Sequence, residues 1–321
     1  AHFSGIKNPT SPREREVFEV PNHDETFVAI ESDKEFPYTQ VQLMYKDPKP
    51  VQVVDTRDEN RTGILHQLFS SMLNARLDEL RNSPNPPFNY GYGYYGSSWA
   101  RTKNAFQMFA MVDETGQLNG LETLLTEAQR IKLHGFTPGE LERTKKSVLS
   151  RMEKIYNERD KSQSRSYADE MVRNFLEKEP APGIVWEYEM YKESLPGIKI
   201  EEVNVLINSF ISDKNRVVIL MGPEKEGLEK VSEQSVMDLL SEMDNVSPEP
   251  YIDAVVAASL MEAIPEPGEI ASSKYNEEGD FTELTLSNGM KVTYKITDFK
   301  NDEIVLRGYS YGGTSTYTNE E

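Results

Sequence analysis

The sequence predicts an α+β fold: two layers, with a mostly antiparallel sheet and helices packed on one face. Three observations carry it. Residues 39–45 alternate strictly, with Val41, Leu43 and Tyr45 on one side and Gln40, Gln42 and Met44 on the other, the period of a strand with one face in a core. Residues 57–80 follow the helical period through Ile64, Leu65, Leu68, Phe69, Met72, Leu73, Leu77 and Leu80, an apolar stripe that must pack on something. The order of elements (strands, a helix, two strands, a helix pair, then strand and helix) segregates helices from neighbouring strands, as antiparallel sheets with one covered face do.

Taken in order, residues 1–14 are polar and read as a leading linker, followed by strand-like runs at 16–20 and 27–30. After the long helix, Asn82 to Pro87 breaks the chain, and Phe88–Tyr95 and Ala105–Val112 read as strands. The Tyr-Gly alternation at Tyr90–Gly96 leaves room for a close backbone, either a neighbouring helix or an extended peptide. A second helix covers 118–133 and stops at Gly135. Thr137-Pro138-Gly139-Glu140 then spells a helix start: a threonine cap, proline at the first helical position, and a glutamate placed to close a capping box. The stretch 158–166 reads as too polar for a core; helices at 167–176 and 200–210, a strand at 216–221 and a helix at 228–243 complete a unit spanning 15–245. Residues 246–279 read as a linker rich in Pro, Ala and acids. Beyond it, strands 281–286 and 291–296 flank Asn288-Gly289, a hairpin signal, and 304–309 reads as a third strand. Three strands without a helix leave an apolar face uncovered, so residues 280–321 read as the truncated opening of a further unit and the chain as a piece of a longer protein.

At 321 residues the chain has room for one large domain or two ordinary ones. A formal net charge of −19 disfavours phosphate backbones and anionic lipid as partners and suits basic peptides. No apolar run reaches the length of a membrane-spanning helix, and the absence of cysteine excludes disulfides, thiolate metal sites and cysteine nucleophiles. Of His2, His23, His66 and His134, none has a second histidine one helical turn away, which a helical zinc site requires. Neither a serine-hydrolase elbow nor a phosphate-binding glycine loop is present. No catalytic residue and no metal ligand is therefore assigned within the chain.

Several stretches resemble the pitrilysin/insulinase family of zinc metallopeptidases: Leu73-Asn74-Ala75-Arg76-Leu77-Asp78-Glu79-Leu80-Arg81 running into Phe88-Asn89-Tyr90, the Gly135–Lys145 helix start, the strand Asn215–Gly222, and Thr285–Val292, which is similar to the opening of the next family unit. The resemblance implies that residues 15–245 correspond to a non-catalytic domain, the second of a first unit. It implies that an HxxEH zinc helix belongs to a preceding domain, so that zinc is a cofactor of the parent enzyme and not of this segment. It implies peptide substrates, association with the zinc-bearing domain and with the rest of the following unit, and a place in a peptide-enclosing chamber. Family members carry an Arg and a Tyr, normally seven apart, that hold substrate backbone. Arg81 and Tyr90 stand nine apart here, across Pro84, Pro86 and Pro87, and are the candidate substrate-binding residues. The alternative within the same family is a non-catalytic scaffold or assembly subunit. Homo-association through the unpaired strands and a periplasmic or otherwise exported location complete the expectations.

Overall fold

The alternating strand at 39–45 lies at the centre of a five-stranded sheet. In a computed structural model of the chain, which describes residues 4–7, 10–14, 16–51, 54, 56–97, 100–228, 230–253, 263–301, 303–313 and 318, strand β2 (Thr39–Lys46) pairs on both sides. It is antiparallel to β4 (Asn104–Val112) and to β5 (Arg216–Pro223). Strand β3 (Tyr90–Ser97) adds antiparallel to β4, and β1 (Phe27–Asp33) adds parallel to β5, giving the order β1-β5-β2-β4-β3. Three of the four pairings are antiparallel, as predicted.

Helices α1 (Arg57–Arg81), α2 (Gln117–His134) and α8 (Glu233–Met243) cover one face. Their stripes bury Leu68, Phe69, Met72, Leu73, Leu121, Leu124 and Leu240 against Val41, Leu43, Met108 and Leu220. Fully burying one such side chain contributes about 1.5–3 kcal/mol. Phe69 lies edge-on to Phe106, Phe136 and Phe210, the aromatic arrangement that adds specificity to the packing. Thr56 caps α1 with Glu59 in a reciprocal box. Helix α3 (Pro138–Asn157) begins as its sequence dictates: the Glu140 amide donates to Thr137 Oγ1 at 3.2 Å and the Thr137 amide donates to Glu140 Oε2 at 2.7 Å. Gly135, which ends α2, has φ +71°, a conformation open to glycine.

Helix α4 (Ser164–Glu177) is followed by α5 (Ile184–Ser194), which was not anticipated, and by two short helices, α6 (Ile200–Asn204) and α7 (Ile207–Phe210), where one was expected. Residues 16–20 form no ladder, and the final helix starts at Glu233 rather than 228, because Ser232 supplies its cap.

The chain divides into two compact units, one of residues 1–150 and 169–254, the other of residues 151–168 and 255–321. In the second, β6 (Ile270–Asn276), β7 (Phe281–Leu286) and β8 (Lys291–Tyr294) form a three-stranded antiparallel sheet with the hairpin at Asn288-Gly289. Its third strand comes from residues 270–276, read from sequence as linker, and not from 304–309, which stay outside the ladder with Ile304 and Leu306 almost fully exposed. Residues 254–262 of the expected linker, and His2, lie outside the described residues. Glu158, expected on the surface, is buried in this unit, where its Oε1 accepts the Asn301 amide at 2.6 Å.

Candidate functional site: an open aromatic sheet face

The face of the five-stranded sheet away from the helices carries alternate residues of each strand. On β3 these are Tyr90, Tyr92 and Tyr94, opposite Met111, Phe109 and Gln107 of β4. The Tyr92 ring lies 5.7 Å from Tyr90, 6.0 Å from Tyr94 and 5.2 Å from Phe109. Gln107 Nε2 donates to Tyr94 Oη at 2.9 Å, which fixes the end of the row. The rings are half-buried, and Tyr90 is 46% exposed. Burial first, then the neighbouring phenols of Tyr94 and Tyr90, push the Tyr92 hydroxyl above its ordinary value. At neutral pH it stays protonated and acts as a hydrogen-bond partner, not a base. Such a row offers apolar area with polar tips, the combination that holds an extended polypeptide by stacking and by bonds to its backbone.

The glycines of the same strand serve the other face. A Cβ on Gly93 would stand 2.5 Å from Leu73 Cδ2 of α1, so the alternation admits a helix, the first of the two occupants that the sequence allowed. Asn74 of α1 completes the fit: the Gly93 amide donates to Asn74 Oδ1 at 2.6 Å, and Asn74 Nδ2 donates to the Gly93 carbonyl at 3.0 Å. One side chain thereby satisfies both backbone groups of an edge-strand residue, which blunts the edge at that point. A ligand meets the row of rings before it meets a free ladder at Gly93.

Of the two predicted residues, Tyr90 stands in this row. Arg81 ends α1 and pairs with Asp78 at 2.7 Å, both side chains partly exposed. The buried arginine is Arg76, only 2% exposed. Its Nε donates to Glu140 Oε1 at 2.6 Å, its Nη2 to Glu140 Oε2 at 2.9 Å and to the Gly135 carbonyl at 3.0 Å, and its Nη1 to Glu127 Oε1 at 3.1 Å. The rings of Phe136 and Tyr251 lie 4.8 and 4.2 Å from its guanidinium carbon. Burial alone would push Arg76 down, but the hydrogen bonds and charges of Glu140 and Glu127 outweigh it and hold the guanidinium above its ordinary value. It ties α1 to α2 and to the cap of α3. A signal for it stood in the sequence: position 76 falls on the apolar stripe of Met72, Leu73 and Leu77, where a charge must be paired.

The described residues do not fit zinc. His23 Nδ1 lies 2.6 Å from the Glu25 carbonyl with its ring stacked on Phe27, His134 Nε2 lies 2.9 Å from the Pro248 carbonyl, and His66 packs on Tyr95 and Phe210. Among the described residues no group of three or more His, Asp or Glu side chains could hold a metal ion. No helix among them is long and apolar enough to cross a membrane.

The first unit is therefore an α+β fold, with a helix-covered sheet and an open aromatic face. No family model matches the chain. A zinc protease PQQL-like from Arabidopsis thaliana is 29% identical over 318 residues, covering 98% of this chain and 30% of the relative. The chloroplastic stromal processing peptidase of the same plant is 24% identical over 314 residues, covering 84% of this chain and 24% of the relative. The crystal structure of the periplasmic protease PqqL from Escherichia coli matches with a TM-score of 0.67 at 19% identity, over 89% of this chain and 31% of that one. The likeness to the pitrilysin/insulinase family of zinc peptidases, read first from short motifs, holds along nearly the whole chain. The chain spans about a third or less of the length of these relatives.

Proposed function

We propose that this chain is a non-catalytic, substrate-contacting segment of a zinc metalloendopeptidase that hydrolyses peptides. The observation that carries the reading is the open row of Tyr90, Tyr92 and Tyr94 on a chain similar, over 98% of its length, to a zinc protease. The row supplies chamber wall and peptide contacts, with Tyr90 and Arg81 as substrate-binding residues. Arg81 reaches a substrate carbonyl by exchanging its exposed Asp78 partner, an exchange that costs little because exposed pairs are worth about 0–1 kcal/mol. Zinc, the general base and the cleavage step belong to the rest of the parent protein, and the chain alone is inactive. An exported or organellar location fits relatives that are periplasmic and chloroplastic. In the second unit, β6–β8 and the exposed 304–309 segment offer strands for the rest of the following unit or for a second copy to pair with.

The test is peptide hydrolysis by the full reading frame with Tyr92→Ser or Tyr90→Phe. The proposal expects a raised KM, by about 5–30-fold for Tyr92→Ser if 1–2 kcal/mol of contact is lost, with zinc content unchanged. Unaltered kinetics in both variants would remove the row from substrate binding. A zinc-free, inactive parent would favour the scaffold-subunit reading.

A further inference from the structure

A cavity of about 270 Å³ opens at one end of the first unit's sheet, where the carboxyl ends of the parallel strands β1 and β5 meet the start of α2. Ligands are commonly held at that end of parallel strands, and the volume suits a small one, since sites for drug-sized molecules run from about 300 Å³ upward. The cavity lies on the face opposite the tyrosine row. Thr39 shares the side of Val41 and Leu43, and Gly222 that of Val218 and Leu220, all turned towards the helices.

Three features of the lining call for a hydrogen-bond acceptor. Thr39 is 2% exposed, yet its Oγ1 finds no hydrogen-bond partner among the described residues, which destabilises a fold unless a ligand or water supplies the bond. Gly222 leaves room beside it: a Cβ there would stand 3.4 Å from Thr39 Oγ1 and 3.6 Å from Gln117 Nε2, so two polar side chains converge on that space. Gln117 Nε2 donates one hydrogen to the Met221 carbonyl at 3.2 Å and retains a second. Helix α2 begins at the same place behind Gly116, which offers no side-chain cap, and its first turn carries no acid. Its first amides and the positive end of its dipole therefore lack a partner side chain.

The charges select the kind of acceptor. Lys225 pairs with Glu114, whereas Lys230 donates to the neutral Ser32 Oγ at 2.9 Å and meets no carboxylate among the described residues. Glu31, also at the rim, alternates with Ser32 and so turns to the opposite face of β1. One unpaired positive charge matches a carboxylate better than a phosphate monoester carrying about −1.5 to −2. Ile30, Leu228 and Val231 add apolar wall.

We infer that this cavity holds the C-terminal carboxylate of a peptide, with a small aliphatic last side chain against Ile30, Leu228 and Val231. The carboxylate accepts from Thr39 Oγ1, the Gln117 side-chain amide and the first amides of α2, and Lys230 supplies the opposing charge. That the carboxylate belongs to a peptide rests on the peptide-handling reading; the preference for a carboxylate does not.

The test is fluorescence anisotropy of the whole chain with a Gly-Gly-Ala-Leu peptide labelled at its N-terminus, beside the same peptide ending in an amide. The free acid is expected to bind at least about tenfold more tightly, equivalent to 1.4 kcal/mol. The amide controls for contacts elsewhere on the chain. No cleavage is read, so an inactive parent would leave this difference standing, and its absence would leave the tyrosine row untouched. Thr39→Val removes the unpartnered hydroxyl while keeping its shape. It is expected to weaken binding of the acid about 3–10-fold while the chain melts no lower, a separation that a merely structural threonine would not give. Lys230→Gln is expected to narrow the gap between acid and amide. Equal binding of acid and amide would overturn the proposal, as would a Thr39→Val chain that binds the acid unchanged. Displacement of the acid by inorganic phosphate at lower concentration than by acetate would overturn it too, by marking a general anion site.

Discussion

Replacing Arg76 by Met tests how the three principal helices are held together. The substitution keeps the apolar stem, so packing changes little, but it leaves Glu127 and Glu140, both almost fully buried, facing each other's surroundings without their cation. Removing one partner of a buried pair costs about 3–5 kcal/mol, because the remaining charge is left uncompensated. Here the loss falls on two carboxylates, although Arg130 still pairs with Glu127 and the Thr137 amide still donates to Glu140. The same middle range, about 3–5 kcal/mol, therefore applies, against a total stability of about 5–15 kcal/mol. At about 2–4 °C per kcal/mol for a domain of this size, Arg76→Met should melt about 6–20 °C lower by circular dichroism. Adding Glu127→Leu and Glu140→Gln, which removes both charges while keeping an acceptor at the α3 cap, should recover most of the loss. A single-variant shift below about 1 kcal/mol would refute the view that Arg76 joins α1 to α2 and α3.

Three further outcomes follow from the same structure. Burial lowers the pKa of His66, which packs between Tyr95 and Phe210, with a smaller opposing effect from Asp47. The unfolded chain thus binds the proton more readily, and stability should fall as pH drops through about 6.5 towards the lower folded value; His66→Phe should flatten that slope in urea titrations at stepped pH. Gly93→Val drives side-chain atoms into Leu73, where even a Cβ would stand at 2.5 Å, so it should destabilise by about 1–3 kcal/mol as an overpacked site, with Gly93→Val/Leu73→Ala recovering part of it by thermal melting. Thr137→Ala removes the side-chain half of the α3 capping box and a 3.0 Å bond to Asp253; about 1–2 kcal/mol should be lost in denaturant melts, whereas the exposed Ser166→Ala should change nothing.

Local rules made most of the first unit legible. Alternation fixed which side of β2 meets the helices, the 3.6-residue period gave α1 nearly residue for residue, and the Thr137–Glu140 cap appears as its sequence reads. What escaped prediction depended on partners distant in sequence. Residues 270–276 look like linker by composition, yet β7 recruits them as β6, while the more apolar 304–309 run joins no ladder among the described residues. Glu158 is polar but buried because a backbone amide 143 positions away donates to it. In the candidate site, the tyrosines were visible as a pattern, but which face they take emerged only from the register of β3 against β4, and Asn74 gave no sign that it would close the strand edge. Arg81 drew attention through resemblance, whereas the structure buries Arg76.

The central claim is that this chain is a peptide-handling part of a zinc peptidase whose metal and base lie elsewhere in the parent. Zinc content and peptide hydrolysis of the full reading frame, measured beside this chain alone, test it most directly. The account predicts stoichiometric zinc and cleavage in the full protein, abolished by a chelator, and neither property in this chain. Metal-dependent cleavage by the isolated chain, or a parent that neither binds zinc nor cleaves peptides, would contradict it.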